Sequence, residues 1–185
     1  QVNVLGFTRA EFNEEMKTKD IDGYRTDQLW NWIYVKGVKS FNEMSNIPLD
    51  MRDKLTKYFY IDYGTPLEDL VSKDGTRKWL LDYRGDQVES LHCFHHPDLT
   101  LLGVFIPETK RGTLCISSQV GCTMDCTFCH TGTQPLVRNL KSAEIVGQVM
   151  NAQAAFNEFP RKNGSKVVTN VVFMGQGEPV CPSIA

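Results

Sequence analysis

Gly121-Cys122-Thr123-Met124-Asp125-Cys126-Thr127-Phe128-Cys129-His130-Thr131-Gly132 decides how the rest of the chain is read. Three thiols spaced C-x3-C-x2-C, with an aromatic between the second and third, let a short loop wrap one iron–sulfur cubane so that each sulfur takes a different iron. The fourth iron is then left without a protein ligand. A structural zinc is the other reading, and it needs a fourth ligand to close its tetrahedron. His130 is the nearest candidate, but it follows Cys129 directly. Adjacent residues point their side chains apart in most backbone conformations, so the spacing favours a cluster and its surroundings must confirm it.

On the amino-terminal side of this loop, residues 113–120 are β-rich. On the other side, residues 142–156 read as a helix, with Ser142 as its cap and Ile145, Val146, Val149 and Met150 on one face. Residues 167–174 read as a buried strand, followed by Gly175-Gln176-Gly177-Glu178-Pro179. Strand, loop, helix, strand is a βα unit of a parallel sheet. In barrels built from such units, chemistry sits on loops after the carboxyl ends of strands. Both the cysteine loop and the Gly-Glu-Pro loop fall there, which predicts one shared site. An open iron suits the amino and carboxylate groups of S-adenosylmethionine, a cofactor that a reduced cluster cleaves to a carbon radical.

Upstream, residues 1–60 read as a small helical unit. Thr8 can cap a first helix, with Glu11 completing a capping box and Phe7 and Phe12 forming a staple. Asp22-Gly23 breaks the chain. Thr26 then begins a second helix striped by Leu29, Trp30, Ile33 and Tyr34 and closed by Gly37. A short element near Phe41 and Met44 leads through Ile47-Pro48 to a helix over about 50–59. Trp30, Trp32, Tyr58 and Phe59 are expected in the core, because so small a unit needs its aromatics inside. From Pro66 the pattern alternates: 67–71 and 79–83 predict a hairpin with an Asp74-Gly75 turn, and Arg84-Gly85-Asp86 turns the chain into Val88-Glu89-Ser90. His92-Cys93-Phe94-His95-His96 holds four potential metal ligands but is expected to be a solvent-facing loop before a strand at 101–106.

Of the six cysteines, three fall within eight positions, which points to metal or redox chemistry in a reducing cytoplasm rather than a disulfide framework. No apolar run is long enough for a membrane span, and no membrane partner is expected. The net charge of −2 does not advertise a polyanionic partner. Between residues 109 and 177, however, seven Lys or Arg stand against three acids, a local excess that permits RNA binding. The chain starts at Gln1 and reads as the N-terminal portion of something longer.

Taken together, the 112–122 run Gly-Thr-Leu-Cys-Ile-Ser-Ser-Gln-Val-Gly-Cys, the cysteine loop, Arg138-Asn139-Leu140, Glu144-Ile145-Val146-Gly147-Gln148-Val149 and Met174-Gly175-Gln176-Gly177-Glu178-Pro179 resemble the radical-SAM RNA adenine methyltransferases of the RlmN type. The resemblance extends upstream to the run 24–33, Phe41-Asn42-Glu43-Met44 and Asp74-Gly75-Thr76-Arg77-Lys78-Trp79. It implies an α/β fold: a small N-terminal helical accessory domain that binds RNA (1–62), a β-rich linker with an insertion (63–108), and the first part of a radical-SAM partial (β/α) barrel (109–185). It also implies that Cys122, Cys126 and Cys129 hold a [4Fe–4S] cluster and that Gly177 and Glu178 contact S-adenosyl-L-methionine.

The same resemblance implies a reaction in which a methylated cysteine near the C-terminus of the family's proteins delivers a methyl group to carbon 2 of an adenine. Cys115 would pair transiently with that cysteine, and Glu89 would be the proton acceptor. Cys181 follows the Gly-Glu-Pro loop and does not match the methylated position. Residues from about 90 to 104 intervene where the family runs almost directly from Val-Glu to Ile-Pro-Glu. His130 and Pro135 stand where small residues are expected. The expected substrates are 23S ribosomal RNA and transfer RNA, with an external electron donor such as flavodoxin and a monomeric, cytoplasmic protein. A relative that methylates carbon 8 shares the barrel motifs, and a non-catalytic iron–sulfur or zinc RNA-interaction module is the alternative from another class.

Overall fold

The computed structural model describes residues 1–83, 100–109, 111–160 and 166–180. Glu89, the 84–86 turn, the His92–His96 tract and Cys181 lie outside the described residues. The structured chain opens with β1 (Val2–Asn3), α1 (Arg9–Thr18), α2 (Gly23–Tyr34), α3 (Leu49–Tyr58) and β2 (Phe59–Tyr60), with β1 and β2 paired in parallel. Then follow β3 (Thr65–Val71), β4 (Arg77–Asp82), β5 (Thr100–Pro107), β6 (Gly112–Cys115), β7 (Gln119–Val120), β8 (Arg138–Asn139), α4 (Ser142–Ala155) and β9 (Asn170–Val172). Strands β3, β4, β5, β6 and β9 form one sheet in that order, antiparallel up to β6 and parallel between β6 and β9.

Local chemistry accounts for most of these boundaries. Thr8 accepts a hydrogen bond from the Glu11 backbone, and the Glu11 carboxylate accepts one from the Thr8 N–H at 2.7 Å, a complete capping box. The Phe7 and Phe12 rings lie 6.4 Å apart as the expected staple. Helix α2 begins at Gly23 with Asp22 as its cap, one turn earlier than Thr26. Thr26 is buried in the first turn, and its hydroxyl donates to the Asp22 carbonyl. Between β3 and β4 the Asp74 carboxylate accepts from the Thr76 N–H, and Gly75 takes the left-handed φ of +85° that closes the turn.

Two apolar cores result. The first gathers Val4, Leu5, Phe12, Met16, Leu29, Ile33, Phe41, Met44, Ile47, Leu55 and Phe59 from the helical segment. The second gathers Trp79, Leu81, Phe105, Leu114, Ile116, Val120 and Val168 from the sheet. Truncating any fully buried Leu or Ile here would cost about 2–5 kcal/mol. Of the aromatics expected inside, Phe59 is buried and Trp30 and Trp32 are half-buried, but Tyr58 is exposed. It sits at the last turn of α3 and faces the Lys19 ammonium at 4.9 Å, where a polar phenol tip and a cation both keep water.

Helix α4 joins the two cores. Ala143, Val146 and Met150 pack on the helical core, whereas Ile145, Val149 and Ala152 pack on the sheet core. The single apolar face expected for this helix is therefore two faces, because the helix is sandwiched between layers. Its cap also differs from the expectation. Lys141 is the capping residue, and its N–H donates to the Glu144 carboxylate at 2.8 Å, so Ser142 is already helical. The 167–174 stretch is not the buried strand it resembles. Only Asn170–Val172 pair as β9, and Val171, Phe173 and Met174 are exposed, because β9 ends the sheet order and its next face has no covering element among the described residues.

Candidate functional site

Strands β6 and β9 run in parallel with Thr113 opposite Asn170 and Cys115 opposite Val172, so the segments that leave them emerge at the same end of the sheet. The ladder continues past both strands. The Ile116 N–H donates to the Val172 carbonyl at 2.9 Å, the Gly175 N–H to the Ile116 carbonyl at 3.0 Å, and the Ser118 N–H to the Gln176 carbonyl at 2.8 Å. The expected β-rich run at 113–120 is thus two strands, β6 and β7, with a bend between them that lets the Gly-Glu-Pro loop dock. Close approach explains the glycines. A Cβ on Gly175 would lie 2.7 Å from the Ser117 hydroxyl, and one on Gly177, whose φ is +95°, would lie 2.5 Å from the Gln119 Cβ.

Three buried amides and hydroxyls lock this junction, and sequence reasoning assigned roles to none of them. The Gln148 side chain, reaching from α4, accepts from the Ser117 N–H at 2.8 Å and donates to the Ser117 carbonyl at 3.0 Å. The Ser117 hydroxyl in turn accepts from the Gln176 N–H at 2.9 Å. The Gln119 side-chain oxygen accepts from the Thr123 N–H at 3.2 Å and from the Glu178 N–H at 3.1 Å. Gln119 and Gln148 are both buried, where a polar side chain must have partners, and that burial is visible only in the fold.

The cysteine loop starts at Gly121, whose φ of +74° turns the chain and whose absent side chain makes room for the Pro135 carbonyl. The Cys129 N–H donates to the Cys126 carbonyl and the Gly132 N–H to the Cys129 carbonyl, each at 3.0 Å. β8 returns to pair with β7, and the Arg138 guanidinium grips the Glu144 carboxylate at the start of α4 with two bonds of 2.6 and 2.7 Å. The loop encloses a shallow cleft of about 280 Å³ lined by Cys122, Thr123, Met124, Asp125 and residues 132–135. Phe128, the aromatic between the second and third thiols, is 91% exposed.

Cys115, Cys122, Cys126 and Cys129 are all free thiols and all half-exposed. Backbone N–H groups of Gly132 and Thr131 hold the Cys129 thiol below its ordinary pKa, which favours the thiolate that ligates metal. Burial pushes the Cys115 thiol the other way and keeps it protonated. All three loop cysteines are half-exposed, and Cys122 lines the cleft. Their side chains do not converge here: among the described residues no three His, Cys, Asp or Glu side chains meet at a point suited to a metal ion.

The donor set nonetheless fits an iron–sulfur cluster, being three unpaired thiols on one loop with backbone N–H groups available to sulfur. The neighbouring junction fits a polar cofactor as well. Ser118 Oγ and Gln176 Oε1 are buried without a hydrogen-bond partner, and the two residues are joined by the Ser118 N–H donating to the Gln176 carbonyl. Cys115 closes β6 at the same end of the sheet. β5, which pairs with it, carries Thr-Leu-Leu-Gly-Val-Phe-Ile-Pro and no acid, so the proton acceptor expected at Glu89 has no substitute on that strand.

Residues 2–61 match the profile of the ribosomal RNA large subunit methyltransferase N-terminal domain. Along 96% of its length the chain is 45% identical to proteins of Rhodopseudomonas palustris and Nitrobacter winogradskyi, each named dual-specificity RNA methyltransferase RlmN. A protein of the same name from Bradyrhizobium diazoefficiens is 50% identical over 84% of the chain. The chain spans about 45% of the length of the first two relatives and 38% of the third. Its fold superposes with a TM-score of 0.80, at 29% identity, on the crystal structure of a radical SAM methyltransferase from Sphaerobacter thermophilus, covering 97% of this chain and 48% of that one. The capped helical segment, the parallel pair with its two docked loops and this level of identity converge: across the part of the family's length that it spans, the chain belongs to the RlmN family.

Proposed function

We propose that this protein is a radical-SAM methyltransferase that places a methyl group on carbon 2 of an adenine in 23S ribosomal RNA, and in transfer RNA, through a methylated-cysteine intermediate. The observation that carries the reading is that the cysteine loop and the Gly-Glu-Pro loop both bond to Gln119, beyond the ends of β6 and β9. Cys122, Cys126 and Cys129 are the residues that hold a [4Fe–4S] cluster, with Cys129 already biased toward thiolate. Gly177, through its backbone, and Glu178, through its carboxylate, would hold S-adenosyl-L-methionine. When bound, cluster and cofactor supply a one-electron cleavage that yields a carbon radical, with the electron coming from an external donor such as flavodoxin.

The remaining residues handle protons and thiols. Carbon 2 of adenine is electron-poor and its C–H poorly acidic, so simple methyl displacement lacks a nucleophile there. A protein-borne methyl group supplies the carbon, and a base must remove the ring proton; Glu89 is that base. Cys115, whose thiol pKa is raised by burial, would give up its proton and form a transient disulfide with the methyl-bearing cysteine as that cysteine's S–C bond to the transferred carbon breaks, the electron pair of that bond staying with the carbon. The target adenine has to be unpaired or splayed out to reach these groups, which matches recognition of folded RNA. Residues 1–62 form the RNA-binding accessory unit, 63–108 the linker and 109–185 the start of the barrel. The protein acts as a cytoplasmic monomer, and no helix among the described residues is long and apolar enough to cross a membrane.

The test is anaerobic reconstitution with iron and sulfide, followed by electron paramagnetic resonance of the reduced protein with and without S-adenosylmethionine, with Cys126→Ala as control. A [4Fe–4S] signal that shifts on adding the cofactor, and is lost in the control, is expected. Where the gene extends beyond residue 185, its full product is then assayed for adenosine methylation by mass spectrometry. Methylation at carbon 2 supports the reading, and methylation at carbon 8 replaces the target atom. Stoichiometric zinc without a cluster, in a folded sample, overturns it in favour of a non-catalytic RNA-binding module.

A further inference from the structure

We propose that Gln119 is a positioning residue that couples the cysteine loop to the Gly-Glu-Pro loop, so that cofactor binding on one is tied to the order of the other. The inference rests on the reading of these loops as cluster and S-adenosylmethionine sites. One oxygen makes the connection. Gln119 Oε1 accepts from the N–H of Thr123, the residue after Cys122, at 3.2 Å and from the N–H of Glu178, the residue after Gly177, at 3.1 Å. An amide oxygen has two lone pairs, so these two backbone donors use its main acceptor capacity, with the Thr123 hydroxyl a weaker third neighbour at 3.4 Å.

The other end of the amide is anchored. Gln119 Nε2 donates to Asn139 Oδ1 at 2.8 Å on β8, the strand by which the cysteine loop returns. The orientation follows from the partners, since two N–H donors face the oxygen and a carbonyl oxygen faces the nitrogen. Gln119 is 2% exposed, so these bonds form in a low-dielectric setting where breaking one leaves a donor without compensation from water. Contact reinforces the link, because Gly177 lies so close that any side chain there would strike Gln119. Each loop is tied to the strand ends through the same side-chain oxygen, so displacing that oxygen to follow one loop loosens its bond to the other.

The experiment compares wild type with Gln119→Leu, Gln119→Glu and Asn139→Ala. The readouts are iron per chain, thermal midpoint, S-adenosylmethionine affinity by calorimetry, the cofactor-induced shift of the cluster signal, and backbone hydrogen exchange of residues 122–126 and 175–179 before reconstitution. Gln119→Leu is expected to load iron as wild type does, to bind the cofactor about tenfold more weakly, to shrink the spectral shift and to speed exchange in both loops. Gln119→Glu keeps an acceptor oxygen and is expected to restore most of the affinity and shift. Asn139→Ala, at an exposed position, is expected to weaken affinity a few-fold. A folded Gln119→Leu protein with affinity within twofold of wild type, or with faster exchange in one loop alone, overturns the coupling. If that variant does not fold, unchanged affinity in Asn139→Ala overturns it instead. Wild type that binds no cofactor refutes the cofactor reading, and the exchange data then decide the coupling by themselves.

Discussion

Replacing Arg138 by Met should destabilise the protein by about 2 kcal/mol, a value bracketed by the surroundings of its partner. The guanidinium makes two parallel bonds to Glu144, whose side chain keeps 10% of its exposure while that of Arg138 keeps 34%. A fully exposed pair of this kind is worth about 0–1 kcal/mol, and breaking a fully buried one costs about 3–5 kcal/mol because a carboxylate is stranded. This pair lies between those limits. Glu144 would retain the Lys141 N–H as a donor, but one backbone bond does not balance a charge in that position. For a chain of this length, each kcal/mol corresponds to about 2–4 °C, so thermal unfolding followed by circular dichroism should show a midpoint about 4–8 °C lower.

The decisive arm is the double variant. Arg138→Met with Glu144→Gln removes both charges while leaving an amide oxygen to accept from Lys141, so it should recover to within about 1 kcal/mol of wild type. Strongly non-additive behaviour of this sign is the signature of a stranded charge. If Arg138→Met alone leaves the midpoint unchanged, or if the double variant loses the sum of the two singles, the ion pair is not what fastens β8 to α4.

Two further outcomes follow from the site. Gly177→Ala should weaken S-adenosylmethionine binding by more than tenfold and lower stability by more than about 1 kcal/mol, because the left-handed φ and the 2.5 Å approach to Gln119 both exclude a methyl group; unaltered binding by calorimetry would contradict this. The thiols should separate by pH before reconstitution. Cys129, with its pKa lowered by backbone N–H groups, should begin to alkylate with iodoacetamide below the pH at which an ordinary thiol does, and Cys115, with its pKa raised by burial, above it. Peptide mass spectrometry across pH 6–10 on a roughly one-unit grid reads the order, and a reversed order would refute the assignment.

Features carried by a few neighbouring residues were legible in the sequence. The Thr8 and Glu11 capping box, the Asp74-Gly75 turn and the strand and helix flanking the cysteine loop depend on interactions within four or five positions, which composition and spacing express directly. The motif residues themselves were equally visible, since three closely spaced thiols and a Gly-Gln-Gly-Glu-Pro run are chemical statements before any fold exists. Tertiary structure decided what depends on partners distant in the chain. Helix α4 turned out to have two apolar faces because layers made by residues 1–63 and 79–120 meet on it, and no periodicity within 142–156 distinguishes that from one broad stripe. Residues 167–174 are as apolar as a buried strand, yet five of the eight are exposed, because burial is set by what packs against a strand and not by the strand itself. Gln119 read only as one position of the β-rich run 113–120. Only the parallel pairing of β6 with β9, which carries Glu178 across 59 positions to the oxygen that also holds Thr123, made it the point where the two loops meet.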